Sequence, residues 1–387
     1  MIVHRRAPRV WVFAVDDRRI QLTWRRLAPG TLRIRTDAGT PPVEVEVGPD
    51  RRPGSITLDG LPAGRLLQLD VDGSAIDAPV RLAARTLAAL PGEELCRVAT
   101  LSDLHVGTLA FGHRGSIRDP HDHPVPHPRR CATAALAEAE AWGAERVVVK
   151  GDLTNGARSW EWREYAAIAR TSTIPVDAIP GNHDNAPYRH PLAIAPRDAA
   201  EAFGFSLAQP MLVRDLPGLR MVLVDCTVPS RHGGTLAPVR DDLLDLVAEA
   251  PADGGVLVVL HQHLQPHVVT EGWPVGIGHA ESLALLDDLG RAHPHVVVTS
   301  GHTHRHRRWG RAGVVVTQVG STKDYPGVWA GYQVFEGGLR QTVWRVSDPD
   351  CLAWTDHSRI AAFGLWEHAS PGRLDARCFN VAWSRPG

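Results

Sequence analysis

Carboxylate, imidazole and amide side chains recur along the chain in five short polar clusters. The clusters are Asp103-Leu104-His105, Gly151-Asp152, Gly181-Asn182-His183-Asp184, His261-Gln262-His263 and Gly301-His302-Thr303-His304. Carboxylate oxygens can bridge two cations, and imidazole nitrogens can complete each coordination shell. This mixture of donors favours divalent first-row transition metals over calcium and magnesium, which prefer oxygen ligands. Two such ions about 3.5–4 Å apart can clamp a phosphoester for in-line displacement at phosphorus.

Each cluster follows a short apolar stretch with the pattern of a buried β-strand. The predicted strands are 97–101, 146–149, 175–179, 221–224, 256–260 and 296–299. The predicted helices between them are 131–142, 160–170, 239–250 and 281–292. Continuously apolar strands separated by helices predict an α/β fold, in which helices cover the sheets. Because the carboxyl ends of such strands converge on one crevice, we expect the clusters to meet there.

Taken singly, each polar cluster has a simpler explanation. Gly-Asp after a strand is an everyday turn, and an isolated Asp-x-His carries little information. Gly-His-x-His is more specific. Five such clusters in order, each ending an apolar strand, favour a metal site over a set of unrelated turns.

The order D-x-H, G-D, G-N-H-D, H and G-H-x-H resembles the signature of the calcineurin-like metallophosphoesterases, from residue 96 to near residue 341. The resemblance implies a four-layer αββα sandwich and two divalent or mixed-valence transition-metal ions, which are Mn, Fe or Zn. Carried over by position, one ion would be held by Asp103, His105, Asp152 and His304. The other would be held by Asp152, Asn182, His261 and His302. The resemblance further implies that a metal-bridging hydroxide attacks phosphorus, while His183 acts near the leaving group.

The residue three positions after the bridging carboxylate separates the subfamilies. It is Asn155 here, whereas purple acid phosphatases have a tyrosine and protein Ser/Thr phosphatases have an aspartate. The stretches 151–156 and 224–234 are instead similar to class III cyclic nucleotide phosphodiesterases. Those enzymes usually have His-His-x-Pro where this chain has His261-Gln262-His263-Leu264. The resemblance implies hydrolysis of a small-molecule phosphodiester, or of a phosphomonoester, with Asn155 and His263 adjacent to the substrate.

The first 90 residues have a different pattern, in which apolar and polar residues alternate with period two. This pattern predicts a small all-β sandwich. It resembles a fibronectin type III domain, with Trp24 on an early strand and a characteristic turn at 55–62. The tyrosine usual in that family is absent, and Leu66 and Leu67 stand in its place. We expect three regions: a β-sandwich at 1–90, a catalytic domain at 91–345 and a C-terminal extension packed on that domain at 346–387.

The composition indicates which classes of partner and which cellular compartment to expect. The 387 residues carry a net charge of −1, which favours neither nucleic acid nor an acidic membrane as main partner. The cysteines number five, which is odd, and show no CxxC spacing. We therefore expect neither a disulfide framework nor a zinc ribbon, and a reducing compartment fits better. No stretch has signal-peptide character or the roughly 18 apolar residues of a membrane helix, so we expect a cytoplasmic protein. The oligomeric state stays open.

Two alternative functions remain possible on the sequence, and the stretch 113–127 has two possible interpretations. The chain could be a non-catalytic scaffold with the same fold, although it keeps all the ligand positions and His183. It could also be a nuclease of the same superfamily, against which the balanced charge and the lack of a basic stripe argue. The stretch 113–127 contains four histidines and two aspartates. It is either a solvated loop or a lid over the metals.

Overall fold

The alternating residues at the start of the chain form β-strands in two small sheets. In this computed structural model, which describes residues 9–119, 123–185, 192–268 and 275–383, the strands are β1 (Arg9–Val15), β2 (Ile20–Arg25), β3 (Gly30–Thr36), β4 (Val43–Val47), β5 (Gly54–Leu58), β6 (Leu66–Asp72) and β7 (Val80–Arg85). Their orders are β1-β2-β5 and β4-β3-β6-β7. Leu22, Leu32 and Leu69 are buried, as the alternation requires. The all-β region is therefore present, whereas its likeness to a fibronectin type III domain stays a prediction.

The rest of the described chain alternates between strands and helices. Its strands are β8 (Glu94–Leu101), β9 (Ala110–Phe111), β10 (Ile117–Arg118), β11 (Arg146–Lys150), β12 (Val176–Ile179), β13 (Ser206–Leu207), β14 (Met211–Leu216), β15 (Leu219–Val224), β16 (Gly255–Val259), β17 (Val296–Ser300), β18 (Arg307–Arg311), β19 (Val314–Gln318), β20 (Val328–Phe335), β21 (Gly338–Arg345) and β22 (Cys378–Ala382). Its α-helices are α1 (His127–Ala141), α2 (Ser159–Ala169), α3 (Pro196–Phe203), α4 (Arg240–Ala248), α5 (His279–Ala292), α6 (Pro349–Ser358), α7 (Trp366–Ala369) and α8 (Leu374–Arg377). Within these ranges no helix combines the length and the apolar character that crossing a bilayer would need.

Two large sheets form the centre of this α/β region. The first has seven strands in the order β13-β12-β11-β8-β20-β21-β22, and the second has six in the order β14-β15-β16-β17-β19-β18. Strands β8, β11, β12 and β13 are parallel, as are β15, β16, β17 and β19. The strand stretches predicted from the sequence form β8, β11, β12, β15, β16 and β17. The predicted helices correspond to α1, α2, α4 and α5.

Alternate residues of the central strands face two different cores, and this produces the layers. Val258 of β16 lies in one core with Leu243 of α4 and Leu286 of α5. Its neighbour Leu257 points to the opposite face and lies in a second core with Val98 of β8. Such apolar residues on both faces are typical of a sheet that is covered on both sides. The fold is the expected four-layer αββα sandwich, preceded by the all-β region.

The last part of the chain contributes to this architecture directly. Strand β22 pairs with β21 at the edge of the seven-stranded sheet, and α6 packs against α1. The N-terminal sheet is attached to the same strand β21. The side-chain amide of Gln21 exchanges two hydrogen bonds of 2.9 Å with the backbone of Arg345. The end of the chain and the N-terminal sheet therefore both contact strand β21.

Candidate metal centre

The five polar clusters meet where the two large sheets present their carboxyl ends. The seven-stranded sheet supplies Asp103 and His105 after β8, Asp152 after β11 and Asn182 and His183 after β12. The six-stranded sheet supplies His261 after β16 and His302 and His304 after β17. Among the described residues, three groups have ligand atoms that all lie within 4.8 Å of one another: Asp103, His105 and His304; His105, Asp152 and His183; and Asp152, His261 and His302. The crevice predicted from the sequence therefore collects the predicted side chains.

Asp152 lies between two sets of imidazoles. Its Oδ2 is 3.4 Å from Nε2 of His105, and its Oδ1 is 3.3 Å from Nε2 of His261. Nε2 of His304 is likewise 3.4 Å from Oδ1 of Asp103. Ligand atoms bound to one ion at about 2.1 Å are themselves about 3.0–3.4 Å apart, depending on the coordination angle. The donor set and its spacing thus fit two ions that share the Asp152 carboxylate.

Hydrogen bonds to the outer ring nitrogens determine which nitrogen each histidine presents. Nδ1 of His261 donates to the carbonyl oxygen of Lys150 at 2.8 Å, and Nδ1 of His304 donates to the carboxylate of Asp324 at 3.1 Å. Both rings therefore present Nε2 to the cluster. His302 has the opposite arrangement, since its Nε2 donates to a backbone carbonyl oxygen at 3.0 Å and leaves Nδ1 facing inward.

Asn182 and His183 are oriented by separate contacts. Oδ1 of Asn182 lies 3.2 Å from Nε2 of His261, while its Nδ2 donates to Nδ1 of His232 at 3.3 Å. The amide oxygen is thereby turned toward the cluster. Nδ1 of His183 donates to the carbonyl oxygen of Asn155 at 3.0 Å. This leaves Nε2 of His183 beside His105, whose ring centre is 4.5 Å away.

The backbone at the cluster adopts an uncommon conformation. Positive φ angles occur at Asp103 (54°), His105 (45°), Asp152 (48°), His302 (67°) and His304 (52°). Non-glycine residues seldom occupy this left-handed region, and such strain is typically concentrated at functional sites. Gly151, with φ of 77°, precedes Asp152, and a Cβ there would overlap the ring of His261. The close approach of the two sheets therefore requires glycine at this position.

Asp184 connects the two loops that carry Asp152 and Asn182. Its carboxylate accepts hydrogen bonds from the backbone N–H groups of Leu153 (2.9 Å), Thr154 (2.8 Å) and Gly181 (2.8 Å). The Thr154 hydroxyl donates a further bond of 2.7 Å. Burial and the nearby charge of Asp152 raise the pKa of Asp184 to about 7, although these donors act in the opposite direction.

The charge of Asp152 suits a cation site. Burial favours the neutral acid, but the imidazoles of His261, His183 and His105 outweigh burial and hold the pKa of Asp152 well below its usual range. Burial together with His261 lowers the pKa of His302 to about 3, so this ring is neutral and able to ligate. An ionised carboxylate beside a neutral imidazole is the form in which both residue types bind metals.

A cavity of about 630 Å³ opens over the cluster. Asn155 and His183, which are predicted to lie near the substrate, both line it. His263 lies elsewhere, with its ring stacked on His302 at 5.8 Å between centres, and it is not among the residues that line the described part of the cavity. Burial lowers the pKa of His263 to about 4.

The histidine-rich stretch 113–127 has no single role. His113 lines the cavity, whereas His127 begins α1 in the interior, stacked on Trp354 at 3.9 Å between ring centres. His121 and Asp122 lie outside the described residues. Of the histidines in this stretch, His113 thus belongs to the cavity wall and His127 to the interior.

Two residues at the site, Asp324 and His232, were not predicted from the sequence. Asp324 is fully buried and holds His304 through Nδ1. A signal was available, because Ser321-Thr322-Lys323-Asp324 is a polar cluster that follows the apolar strand β19, as the other clusters follow theirs. His232 lies on the loop after β15, in the stretch already similar to phosphodiesterases, but nothing in that stretch indicated contact with Asn182.

Known proteins resemble this chain over the region that carries the site. Residues 96–306 match the calcineurin-like phosphoesterase family, which is over half of the chain, and the chain belongs to this family of dinuclear metal-dependent phosphoesterases. A curated protein of Rhodococcus erythropolis named "Probable cyclic nucleotide phosphodiesterase" is 27% identical over 183 residues, which are 46% of this chain and 57% of that protein. The chain therefore matches little more than half the length of that relative.

Two solved structures are among those similar to this chain. A purple acid phosphatase from yellow lupin seeds has a TM-score of 0.46 and 14% identity, covering 91% of this chain and 76% of that one. Phosphopantetheinyl hydrolase from Mycobacterium tuberculosis has a TM-score of 0.35 and 16% identity, covering 59% and 90% respectively. Both likenesses concern the fold alone.

Proposed function

We propose that the protein is a dinuclear metal-dependent phosphodiesterase that hydrolyses a small-molecule phosphodiester. The observation that carries the proposal is the position of Asp152, whose two carboxylate oxygens face His105 from one sheet and His261 from the other. A carboxylate in this position joins two ligand sets into one site. The sets are Asp103, His105, Asp152 and His304, and Asp152, Asn182, His261 and His302.

When bound, a pair of Mn, Fe or Zn ions supplies Lewis acidity and activates water for in-line attack. Hydrogen bonds within the chain orient the side chains that would hold the ions. Hydrogen bonds donated by the outer ring nitrogens to the Lys150 carbonyl oxygen and the Asp324 carboxylate orient His261 and His304. The backbone N–H of His183 donates to Oδ1 of Asp152 at 2.9 Å, which restrains the shared carboxylate.

His183 is the candidate general acid. Its Nδ1–H is engaged by the Asn155 carbonyl oxygen, so Nε2 is the atom directed to the cavity. A proton held at Nε2 can pass to the leaving oxygen, and such general acid catalysis typically contributes ~10²–10⁴-fold. Asn155 thereby acts through its backbone, by fixing the orientation of the acid.

The size of the cavity favours a diester over a simple monoester. A volume of about 630 Å³ falls in the range of roughly 300–1,000 Å³ that is typical of sites for drug-sized molecules and cofactors. A phosphoryl group would fill only a small part of it. The remaining space can accept a second ester substituent. The relative named for cyclic nucleotide phosphodiesterase activity supports the same substrate class.

The test is hydrolysis by the full chain after reconstitution with Mn, Fe or Zn, using cyclic nucleotides, aryl phosphodiesters and aryl phosphomonoesters. We expect two ions per chain and faster hydrolysis of diesters than of monoesters. Asp152→Asn should lose metal and activity together, whereas Asp375→Asn, which changes an exposed surface ion pair, should retain both. Bound metal without hydrolysis of any ester would favour the scaffold, and faster monoester hydrolysis would overturn the diesterase assignment.

A further inference from the structure

One wall of the cavity is apolar and comes from two distant parts of the chain. Phe111 of β9 and Trp366 at the start of α7 both line the cavity, with their ring centres 5.7 Å apart. Ala361 and Ala362 extend this wall. We call Phe111, Ala361, Ala362 and Trp366 the apolar wall. Neither part carries a ligand of the proposed metal site, so the wall is available to contact a substrate substituent.

The rings around the cavity form a series of contacts with His183 at one end and this wall at the other. His183 lies 4.5 Å from His105 between ring centres, and His105 lies 5.2 Å from His304. His304 in turn is stacked at 6.1 Å on Phe111. His183 and Phe111 thus stand at opposite ends of this series. If the leaving group is beside His183, the substituent that stays on phosphorus is the one near the apolar wall.

Two cations lie next to the wall. The guanidinium of Arg305 is 5.3 Å from the ring centre of Trp366, and Nζ of Lys323 is 5.3 Å from that of Phe111. Lys323 is itself buried and donates to Asp324. Aromatic rings with adjacent cations suit a planar aromatic group, such as an aryl ring or a nucleobase, better than a short alkyl chain.

The segment that carries Trp366 is tied to the N-terminal sheet by buried ion pairs. Arg25 of β2 binds the carboxylate of Glu367, the residue next to Trp366, and also lies 3.5 Å from Asp356. Arg359 pairs with the same two carboxylates, at 3.5 Å from Glu367 and 2.8 Å from Asp356. Arg25 is 4% exposed and Glu367 is 7% exposed, so removal of either charge leaves its partner buried.

We propose that Phe111 and Trp366 form the recognition surface for an aromatic substituent on the non-leaving side of the phosphodiester. Arg25 of the N-terminal sheet is a positioning residue that acts on this surface through Glu367. The inference rests on the proposed diesterase function and names its substrate class. It also gives the N-terminal sheet a role in catalysis by the α/β region, because that sheet holds the segment on which Trp366 stands.

The test compares two diesters that release the same leaving group, bis(p-nitrophenyl) phosphate and methyl p-nitrophenyl phosphate. The measured quantity is the kcat/KM of the diaryl ester divided by the kcat/KM of the methyl ester. Trp366→Ala and Phe111→Ala should each lower this ratio by about five- to tenfold, because only the diaryl ester has an aromatic non-leaving substituent that can lose its stacking. The loss should appear mainly as a higher KM for the diaryl ester. Phe363→Ala is the matched control, since this aromatic of the same segment is fully exposed and does not line the cavity.

Arg25→Ala should lower the same ratio while the metal content and the rate with the methyl ester stay near those of the wild type. Arg25→Lys, which keeps the charge, should restore part of the ratio. If Arg25→Ala does not fold, Glu367→Gln provides the same comparison with a smaller change. Lower rates with both esters in equal proportion would show a merely structural role and overturn the positioning claim.

The two proposals fail in different ways. A wild-type protein that binds metal but hydrolyses neither ester contradicts the proposed function itself. A wild-type protein that hydrolyses both, with an unchanged ratio in Trp366→Ala and Phe111→Ala, contradicts only the recognition surface. An equal fall in the ratio for Phe363→Ala would likewise contradict the assignment to these two rings.

Discussion

The carboxylate of Asp324 accepts a hydrogen bond of 3.1 Å from Nδ1 of His304 and one of 2.5 Å from Nζ of Lys323. Asp324 is fully buried, and burial alone would favour its neutral acid. The neighbouring charges of Lys323 and His304 outweigh that effect and hold its pKa below the usual range. An ionised carboxylate behind a histidine fixes the tautomer of the ring and makes its other nitrogen a better metal ligand.

We therefore expect Asp324→Asn to weaken metal binding at the site that contains His304. Loss of such a partner typically costs about 10–100-fold in metal affinity or activity. The measurement is metal titration of the metal-free protein, read by calorimetry or by competition with a chelator. Asp375→Asn, an exposed substitution of the same kind, is the control. Equal affinities of wild type and Asp324→Asn would show that Asp324 has no influence on the metal.

A second prediction concerns Asp184, which holds the loops after β11 and β12 together. Asp184→Ala leaves the backbone N–H groups of Leu153, Thr154 and Gly181 without their acceptor in a buried setting. We expect the free energy of unfolding to fall by about 2–4 kcal/mol. Asp184→Asn keeps one acceptor oxygen and should lose less. Chemical denaturation of the metal-free proteins measures both, and a change below about 0.5 kcal/mol for the alanine variant would contradict this role.

The division of roles between His183 and Asp152 gives a third prediction. His183→Ala should keep both metals and lower turnover by ~10²–10⁴-fold for a diester with a poor leaving group. The loss should be smaller for a nitrophenyl ester, because nitrophenolate needs little protonation. Asp152→Ala should lose metal and activity together. Metal content and rate must be measured on the same samples.

The metal content of His183→Ala is decisive because a ring nitrogen of His183 lies within 4.8 Å of the potential ligand atoms of His105 and Asp152. Loss of a metal ion in His183→Ala would make the residue a ligand rather than the acid. Full activity of the variant on a poor leaving group, with both metals bound, would place the acid elsewhere.

The sequence predicted the strands and the clusters because each is encoded within a few consecutive residues. A buried parallel strand has to be continuously apolar, as in β16 and β17, and the polar residues that follow it have to face the crevice. The spacing of Asp103 and His105, or of His302 and His304, is likewise local. The layered fold follows from the same periodicity, since alternate residues such as Leu257 and Val258 face different cores.

Contacts between distant segments were not predictable in this way. Trp366 follows a segment that is held in place by the packing of α6 on α1, and β22 then pairs with β21 at the edge of the seven-stranded sheet. The pairing of Arg25 with Glu367 joins residues 342 positions apart, and neither lies in a motif. His127 was indistinguishable by composition from its neighbour His123, although only His127 is buried. Burial of single residues depends on packing that the local pattern does not specify.

The burial of His127 should make the stability of the protein depend on pH. His127 is 1% exposed and stacks on Trp354. Burial and then the positive charge of Lys323 lower its pKa to about 2, with Arg130 adding to the effect and Asp324 opposing it. The unfolded chain, with a histidine pKa of about 6.5, therefore binds a proton that the folded state does not accept. Between these two values the protein should lose stability as the pH falls, by at most about 1.4 kcal/mol per pH unit from this residue.

His127→Phe keeps a planar ring against Trp354 and removes the titrating group, whose Nε2 is buried without a hydrogen-bond partner among the described residues. Its stability should therefore depend less on pH than that of the wild type. Relative to their own values at pH 7.5, we expect the metal-free wild type to lose about 2 kcal/mol more than the variant at pH 5.0. Chemical denaturation at the two pH values measures this difference, and each protein serves as its own reference for any change in packing. Parallel losses in the two proteins would mean that His127 takes up its proton in the folded state, which is incompatible with the buried stack on Trp354.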